Sequence, residues 1–279
     1  MNTAKILITG ATGDTGGYAI EQLLHKGHQV RALVHRRDNR SQRLLPGIIQ
    51  ATAYFAQAAK EAGVEAVVNM SQISAREDAR SYAARDHWVA ERVFDWSGIA
   101  VTHLRPTFFA EWLLYFASSV KAGTLSWPFG TGKHAPVAAE DQARVIVGIL
   151  EDPAPHRGKV YPLYGPKEYT HVEIAQVLSR VLGKEVRYKQ VTVEEWQRNA
   201  ASGLPLAPGQ VTARTMYGEL EQLQRGELKE SFVVQHIRAV AADHQAGVFA
   251  GTNDLLETIG GRPPMSLEAF IEKHHQAFE

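Results

Sequence analysis

The chain contains no cysteine. Disulfides, thiolate ligands and thiol nucleophiles are therefore excluded, and the expected setting is a reducing cytoplasm. Net charge is lacking too: 30 Lys and Arg offset 30 Asp and Glu over 279 residues. Nothing in that balance points to nucleic acid or to an anionic membrane as a partner. No apolar run approaches the roughly 20 residues that span a bilayer. The segment Met1 to Lys5 enters the first apolar stretch without a secretory h-region. Twelve histidines are present, but none has H-E-x-x-H spacing and His274-His275 read as a solvated helix face, so no metal is expected.

What stands out is Ile6-Leu7-Ile8-Thr9-Gly10-Ala11-Thr12-Gly13-Asp14-Thr15-Gly16. An apolar strand over 4–9 runs into a glycine-punctuated turn and then into an amphipathic helix over 15–26, with Ile20, Leu23 and Leu24 on one face. The G-x-x-G-x-x-G spacing meets three demands: a tight reversal, close approach of backbone to a pyrophosphate, and close packing of helix on strand. Free N–H groups and the positive end of the helix dipole then face the phosphates. The flanking strand and helix are the context this motif needs to signify a dinucleotide site.

Further strands are read at 29–34, 64–70 and 99–104, with helices at 48–62, 84–97, 108–121 and 140–151. The alternation predicts an α/β chain with a parallel sheet covered on both faces. Gly27 and Gly63 fall where αL caps end helices. Thr170 with Glu173 and Thr192 with Glu195 read as capping boxes. The first opens a helix that ends at Gly183 and is followed by a strand over 185–191. Ser266 caps the last helix. Region 200–230 is polar and weakly periodic, as in a flap or surface excursion.

The second strand ends Ala32-Leu33-Val34-His35-Arg36-Arg37. A carboxylate there would bind a ribose 2′-OH and repel a 2′-phosphate. None is present, and the planar forks of Arg36 and Arg37 suit phosphate, so NADP(H) is expected over NAD(H).

These residues, with Val67 to Ser71, His87 through Gly98, Leu104-Arg105-Pro106-Thr107-Phe108-Phe109-Ala110-Glu111, Gly165-Pro166 and Gly261 to Pro264, give a chain that resembles the NmrA-like branch of the atypical short-chain dehydrogenases/reductases, which includes quinone oxidoreductases and triphenylmethane reductase. The resemblance covers nearly the whole length. It implies a doubly wound Rossmann-type domain over 1–152 and a smaller C-terminal α/β substrate lobe over 153–279, interleaved with the first. Carried over by position, Gly10, Thr12, Gly13, Asp14, Thr15 and Gly16 would hold the pyrophosphate, and Arg36 and Arg37 the 2′-phosphate. Met70, Ser71, Pro106, Thr107, Phe108 and Phe109 would flank the nicotinamide.

Two features depart from that pattern. Ordinary members of the superfamily use Tyr-x-x-x-Lys to exchange a proton with the substrate. Here Tyr82 is followed four residues later by Asp86, and the helix carries Arg85, His87 and Arg92 but no Lys. His87 either orients cofactor, donates a proton because imidazole titrates near working pH, or is simply a helix-surface histidine. Ser71, Ser74 and Tyr82 are the other candidates for polarising an acceptor. Second, only one helix fits between strands 29–34 and 64–70, where the family has two further strands and a helix. A unit of roughly 30 or more residues is absent around Leu44-Leu45-Pro46-Gly47, and the sheet edges so exposed would need cover. Either a stretch is omitted, the favoured reading, or the protein is truncated with a damaged cofactor site; a whole-protein mass several kDa away from 30.8 kDa would mark the former.

The leading expectation is NADPH-dependent hydride transfer to a small conjugated acceptor such as a quinone or dye, which needs no Tyr–Lys pair. Phe108, Phe109, Trp112, Tyr115 and Trp127 are candidates for an apolar wall, with Phe109 and Trp112 favoured to face the cleft as substrate contacts. The rival is a non-catalytic NADP(H)-binding redox sensor that reports to a regulatory protein partner. A homo-oligomer is compatible with either.

Overall fold

The computed structural model describes residues 5–11, 13–33, 48–201 and 232–279. Arg36, Arg37, Thr12, the segment around Leu44–Gly47 and nearly all of 200–230 lie outside them.

β1 (Lys5–Ile8) and β2 (Gln29–Ala32) are parallel, joined by α1 (Asp14–His25). The two-residue alternation of a strand shows in β1, where Ile6 and Ile8 are buried and Leu7 is exposed. After α2 (Ile48–Glu61), β3 (Ala66–Met70) pairs in parallel with β4 (Ala100–Pro106), Ala66 against Ala100 and Met70 against Leu104. Between them runs α3 (Tyr82–Ser97), which Ser81 caps by accepting from the Ala84 amide. The expected helix over 108–121 is two short ones, α4 (Trp112–Tyr115) and α5 (Ala117–Lys121).

Next come β5 (Thr124–Trp127), β6 (Lys133–His134), α6 (Ala139–Glu151) and β7 (Val160–Leu163), then β8 (Tyr169–Thr170), α7 (His171–Leu182), β9 (Arg187–Gln190) and α8 (Val193–Ala201). The chain ends with α9 (Phe232–Gln245), α10 (Leu255–Thr258), α11 (Leu267–Lys273) and α12 (His275–Phe278). Both capping boxes are formed: Thr170 and Glu173 exchange hydrogen bonds at the start of α7, as do Thr192 and Glu195 before α8. Ser266 accepts from the Ala269 amide and opens α11.

The parallel sheet is not one piece. Among the described residues, β2 and β1 form one pair and β3, β4 and β7 a separate sheet in that order, with no ladder between β1 and β3. The parallel α/β architecture expected from the sequence is present, in two pieces among the described residues. The segment joining β2 to α2, residues 34–47, lies outside them.

Helix α6 spans the break. Val147 packs with Ile6, Ile8 and Leu23, while Val145 and Ile149 pack with Leu104 and Leu163. Glu151 at its far end meets Lys26 and His28. The largest core joins residues from both sides of position 152: Leu113, Trp127, Ile174, Leu178, Ile237 and Ile271 are among its members. There β5 pairs in parallel with β9 and β6 antiparallel with β8.

Candidate functional site

The glycine turn has the geometry that its spacing predicts. Gly10 sits at φ +61°, and its carbonyl accepts from the Gly13 amide at 2.9 Å. Gly13 occupies the N-cap of α1 in an extended conformation and has no side chain with which to cap the helix. A Cβ on Gly16 would stand 2.3 Å from the Gly10 carbonyl oxygen, so only glycine lets α1 lie this close to the turn. The result is a helix N-terminus whose backbone donors remain available to an anion. Asp14 is in its first turn, where burial pushes the carboxyl up against the opposing pull of His274.

At the end of β3, the Ser71 amide donates to the Leu104 carbonyl at 2.7 Å. Its hydroxyl is buried and faces the Glu91 carboxylate, which it helps to keep ionised. Behind it, Glu91 is fully buried and accepts two bonds from the Arg105 guanidinium, that from Nε at 2.8 Å. Burial alone would raise the Glu91 carboxyl, but the Arg105 bonds outweigh it and hold the group below its ordinary range.

His87 lies one helical turn before Glu91. Burial brings its imidazole down to about 4, with Glu91 pulling weakly the other way. The ring is therefore neutral near pH 7. It stands close enough to His236 of α9 for the two to repel when charged, and His236 Nδ1 bonds the Ser81 hydroxyl at 2.8 Å. Tyr82 begins α3 with its side chain 55% exposed, while its amide donates to Gln235. Ser74, a further sequence candidate, is buried and donates to Gln72 at 3.2 Å.

The segment after β4 gathers most of the remaining candidates. Pro106 and Thr107 are buried, and the Thr107 hydroxyl donates to the Phe249 carbonyl. Phe109 is half-buried and bridges to Val137. Phe108 turns into an aromatic cluster with Trp112, Trp127 and Phe129 at centroid distances of 5.5–5.6 Å. Trp112 is half-buried and also meets Tyr115. Trp127 is 1% exposed and belongs to the core, so it offers no wall to a cleft.

Glu111 is a site residue that sequence reasoning missed. Its Oε1 accepts from the Ala139 amide at 3.0 Å, capping α6 from a distance because Ala138 at the N-cap cannot. Burial pushes its carboxyl up to about 7, with Asp14 and Asp141 adding to the rise. The Asp14 charge is felt at Glu111 and at Tyr115, which puts this segment beside the start of α1.

A pH dependence follows. The folded chain keeps a proton on Glu111 that the unfolded chain releases, so stability is present below the ordinary carboxyl range and falls as pH rises towards about 7. The integrated loss is about 3 kcal/mol. In urea unfolding from pH 5 to pH 8, the stability of the wild type relative to Glu111→Gln, which preserves the bond to Ala139 and shares the neutral buried histidines, should fall. An equal slope in both proteins would refute the assignment.

Comparison with known proteins agrees with this geometry. The NmrA-like family model matches residues 47–234, beginning just after the segment where the sequence is short. An NAD(P)H azoreductase of Xenophilus azovorans is 30% identical over 239 residues, covering 84% of this chain and 74% of its own. Two solved structures share the fold. The NADPH-dependent quinone oxidoreductase of Escherichia coli complexed with NADPH has a TM-score of 0.72 at 22% identity, covering 97% of this chain and 99% of that one. The Citrobacter sp. triphenylmethane reductase complexed with NADP(H) has a TM-score of 0.70 at 21% identity, with the same two coverages. The chain belongs to the NmrA-like family.

Proposed function

We propose that the protein is an NADPH-dependent reductase that delivers a hydride to a flat, conjugated, electron-poor acceptor of the quinone, azo-dye or triphenylmethane-dye kind. The observation that carries this reading is the uncapped N-terminus of α1 against a turn that tolerates only glycine at 16. This cradle fits a pyrophosphate, and the azoreductase relative supplies the chemical class.

In this reading the backbone of Gly10, Thr12, Gly13, Asp14, Thr15 and Gly16 holds the pyrophosphate, and Arg36 and Arg37 form the fork for the 2′-phosphate. Met70, Ser71 and Pro106 to Phe109 border the nicotinamide, while Phe109 and Trp112 face the acceptor. Bound NADPH supplies the hydride. The chain's own contribution is orientation and exclusion of water. Ser71, at the end of β3, offers its buried hydroxyl to cofactor or acceptor. His87, neutral and one turn from Glu91, acts as a positioning residue and not as an acid. Residues 153–279 form the lobe that closes over the acceptor. No helix among the described residues is long and apolar enough to cross a membrane, and the partner proposed is a small molecule.

The test is a titration of the purified chain with NADPH and NADH, followed by energy transfer from its five Trp, then turnover with an azo dye, a triphenylmethane dye and a quinone. NADPH should bind at least about 10-fold more tightly, the minimum that a charge-assisted contact to the extra phosphate supplies. Arg36→Ala/Arg37→Ala should erase that preference. Binding without turnover on all three acceptors would replace the reductase with the redox-sensor reading. Absence of binding would overturn both.

A further inference from the structure

Three histidines far apart in the chain converge against the largest hydrophobic core. His134 in β6 lies opposite Tyr169 in the β6–β8 ladder, and His171 opens α7 two residues later, directly after the Thr170 cap. His244 comes from the last turn of α9. Ring centroids are 4.9 Å apart for His134 and His171, 5.1 Å for His134 and His244, and 5.3 Å for His171 and His244. All three are 0–1% exposed.

The backbone is shaped for this convergence. A Cβ on Gly132 would stand 2.2 Å from the His244 carbonyl oxygen, so glycine there lets the strand carrying His134 reach the end of α9. The neighbouring Asp243 is tied by two hydrogen bonds to Arg76, which fixes that end. Phe129 and Phe249 stack on the His244 ring, and Tyr188 stacks on His171.

Hydrophobic packing does not account for the choice of histidine. Among the described residues, His134 Nδ1 and both ring nitrogens of His171 and of His244 are buried without a hydrogen-bond partner. Each orphaned polar group costs free energy that a phenyl ring at the same position would not. Burial also holds His171 at about 4 and pushes His134 and His244 well down, so each ring is already in the neutral form that binds a metal without losing a proton.

We propose that His134, His171 and His244 form a structural binding site for one divalent transition-metal ion, zinc being the species their chemistry fits best. One nitrogen from each ring already lies within 4.8 Å of the others. Nitrogens about 2.0–2.1 Å from a tetrahedral zinc stand about 3.4 Å apart, so closure needs about 1.4 Å of side-chain adjustment. Three imidazoles and no cysteine suit zinc, copper or nickel over calcium or magnesium. The fourth position is left for water. The ion would clamp β6, α7 and α9 together immediately behind Phe108, whose ring is 5.0 Å from His134 and 5.2 Å from His244. It thereby buttresses the wall of the proposed acceptor site without joining the reaction.

The experiment uses the full chain without a histidine tag, stripped by chelator and titrated with zinc chloride under native mass spectrometry, with cobalt(II) as the spectroscopic probe. One equivalent should bind with a dissociation constant below about 1 µM and raise the thermal midpoint. Affinity for that equivalent should fall at least 100-fold in His134→Gln and in His244→Phe, and be unchanged in His274→Gln/His275→Gln. If those core variants do not fold, X-ray absorption on the cobalt-loaded wild type replaces them, and three imidazoles in the first shell are the expected result. Stoichiometric binding that survives both variants, a wild type that takes up no tight equivalent, or fewer than three imidazoles would overturn the proposal. A wild type without uptake would mean that buried water serves these nitrogens instead.

Discussion

Arg144→Met is expected to lower the stability of the protein by about 3–5 kcal/mol, the cost typical of breaking a buried ion pair from one side. Arg144 is 8% exposed and Asp141 2%. The guanidinium bonds the Asp141 carboxylate and also donates to the carbonyls of Gly260 at 3.0 Å and Arg262 at 2.9 Å. The other Asp141 oxygen accepts from the Met265 amide at 2.8 Å. One arginine therefore fastens segment 260–265, which leads into α11, onto α6. Methionine matches the length of the stem but supplies no donors, so a buried carboxylate and two carbonyls lose their partners at once. For a chain of this size the thermal midpoint should drop by roughly 10 °C. Limited proteolysis should release the C-terminal helices before any other segment. A loss below about 1 kcal/mol would show that water replaces the guanidinium and that the strut is dispensable.

Gly16→Ala should abolish usable cofactor binding while leaving the protein folded. The added methyl would sit 2.3 Å from the Gly10 carbonyl oxygen and 2.9 Å from its carbon, both backbone atoms that no rotamer change can move aside. Relief requires α1 to retreat from the turn, at a cost of about 1–3 kcal/mol in stability. A misplacement on the order of 1 Å in a positioned site costs about 100-fold, and that loss is expected in NADPH affinity. The adjacent residue is the control. A Cβ on Gly17 finds its nearest neighbour, the Ala11 carbonyl, at 3.9 Å, so Gly17→Ala should bind NADPH normally and gain about 0.5–1 kcal/mol from helix propensity. Equal NADPH affinity in the two variants, measured by tryptophan energy transfer, would remove the cofactor cradle from the turn.

That contrast also marks what the sequence makes legible. The three-residue rhythm of Gly10, Gly13 and Gly16 is local, and so are the Thr170 and Thr192 capping boxes, because each is closed by residues within a turn or two. Long-range arrangements leave no such trace. β7 contains Pro162, which argues against a strand on paper, yet it is tolerated because β7 pairs on one side only, with β4. His244 and Asp243 read as polar surface in α9 until Arg76 and the aromatic rings, brought from more than 100 residues away, enclose them. Glu111 is an unremarkable acid in sequence, and its raised proton affinity depends on burial beside Asp14 and Asp141. Nor was the place of α6 legible, since it packs on β1 and on β4 from far downstream in the chain.

That placement of α6 alters how the molecule can come apart. In an unbroken parallel sheet, peeling away the phosphate-binding end means tearing a ladder of backbone bonds that runs through the centre of the domain. Among the described residues, β1, α1 and β2 meet the rest chiefly through side chains, at Val147 and the ion pairs of Glu151, so they can detach and re-dock with every hydrogen bond of β3, β4 and β7 intact. A ligand gripping the glycine turn would then work as the missing fastener, coupling its own occupancy to the cohesion of the fold.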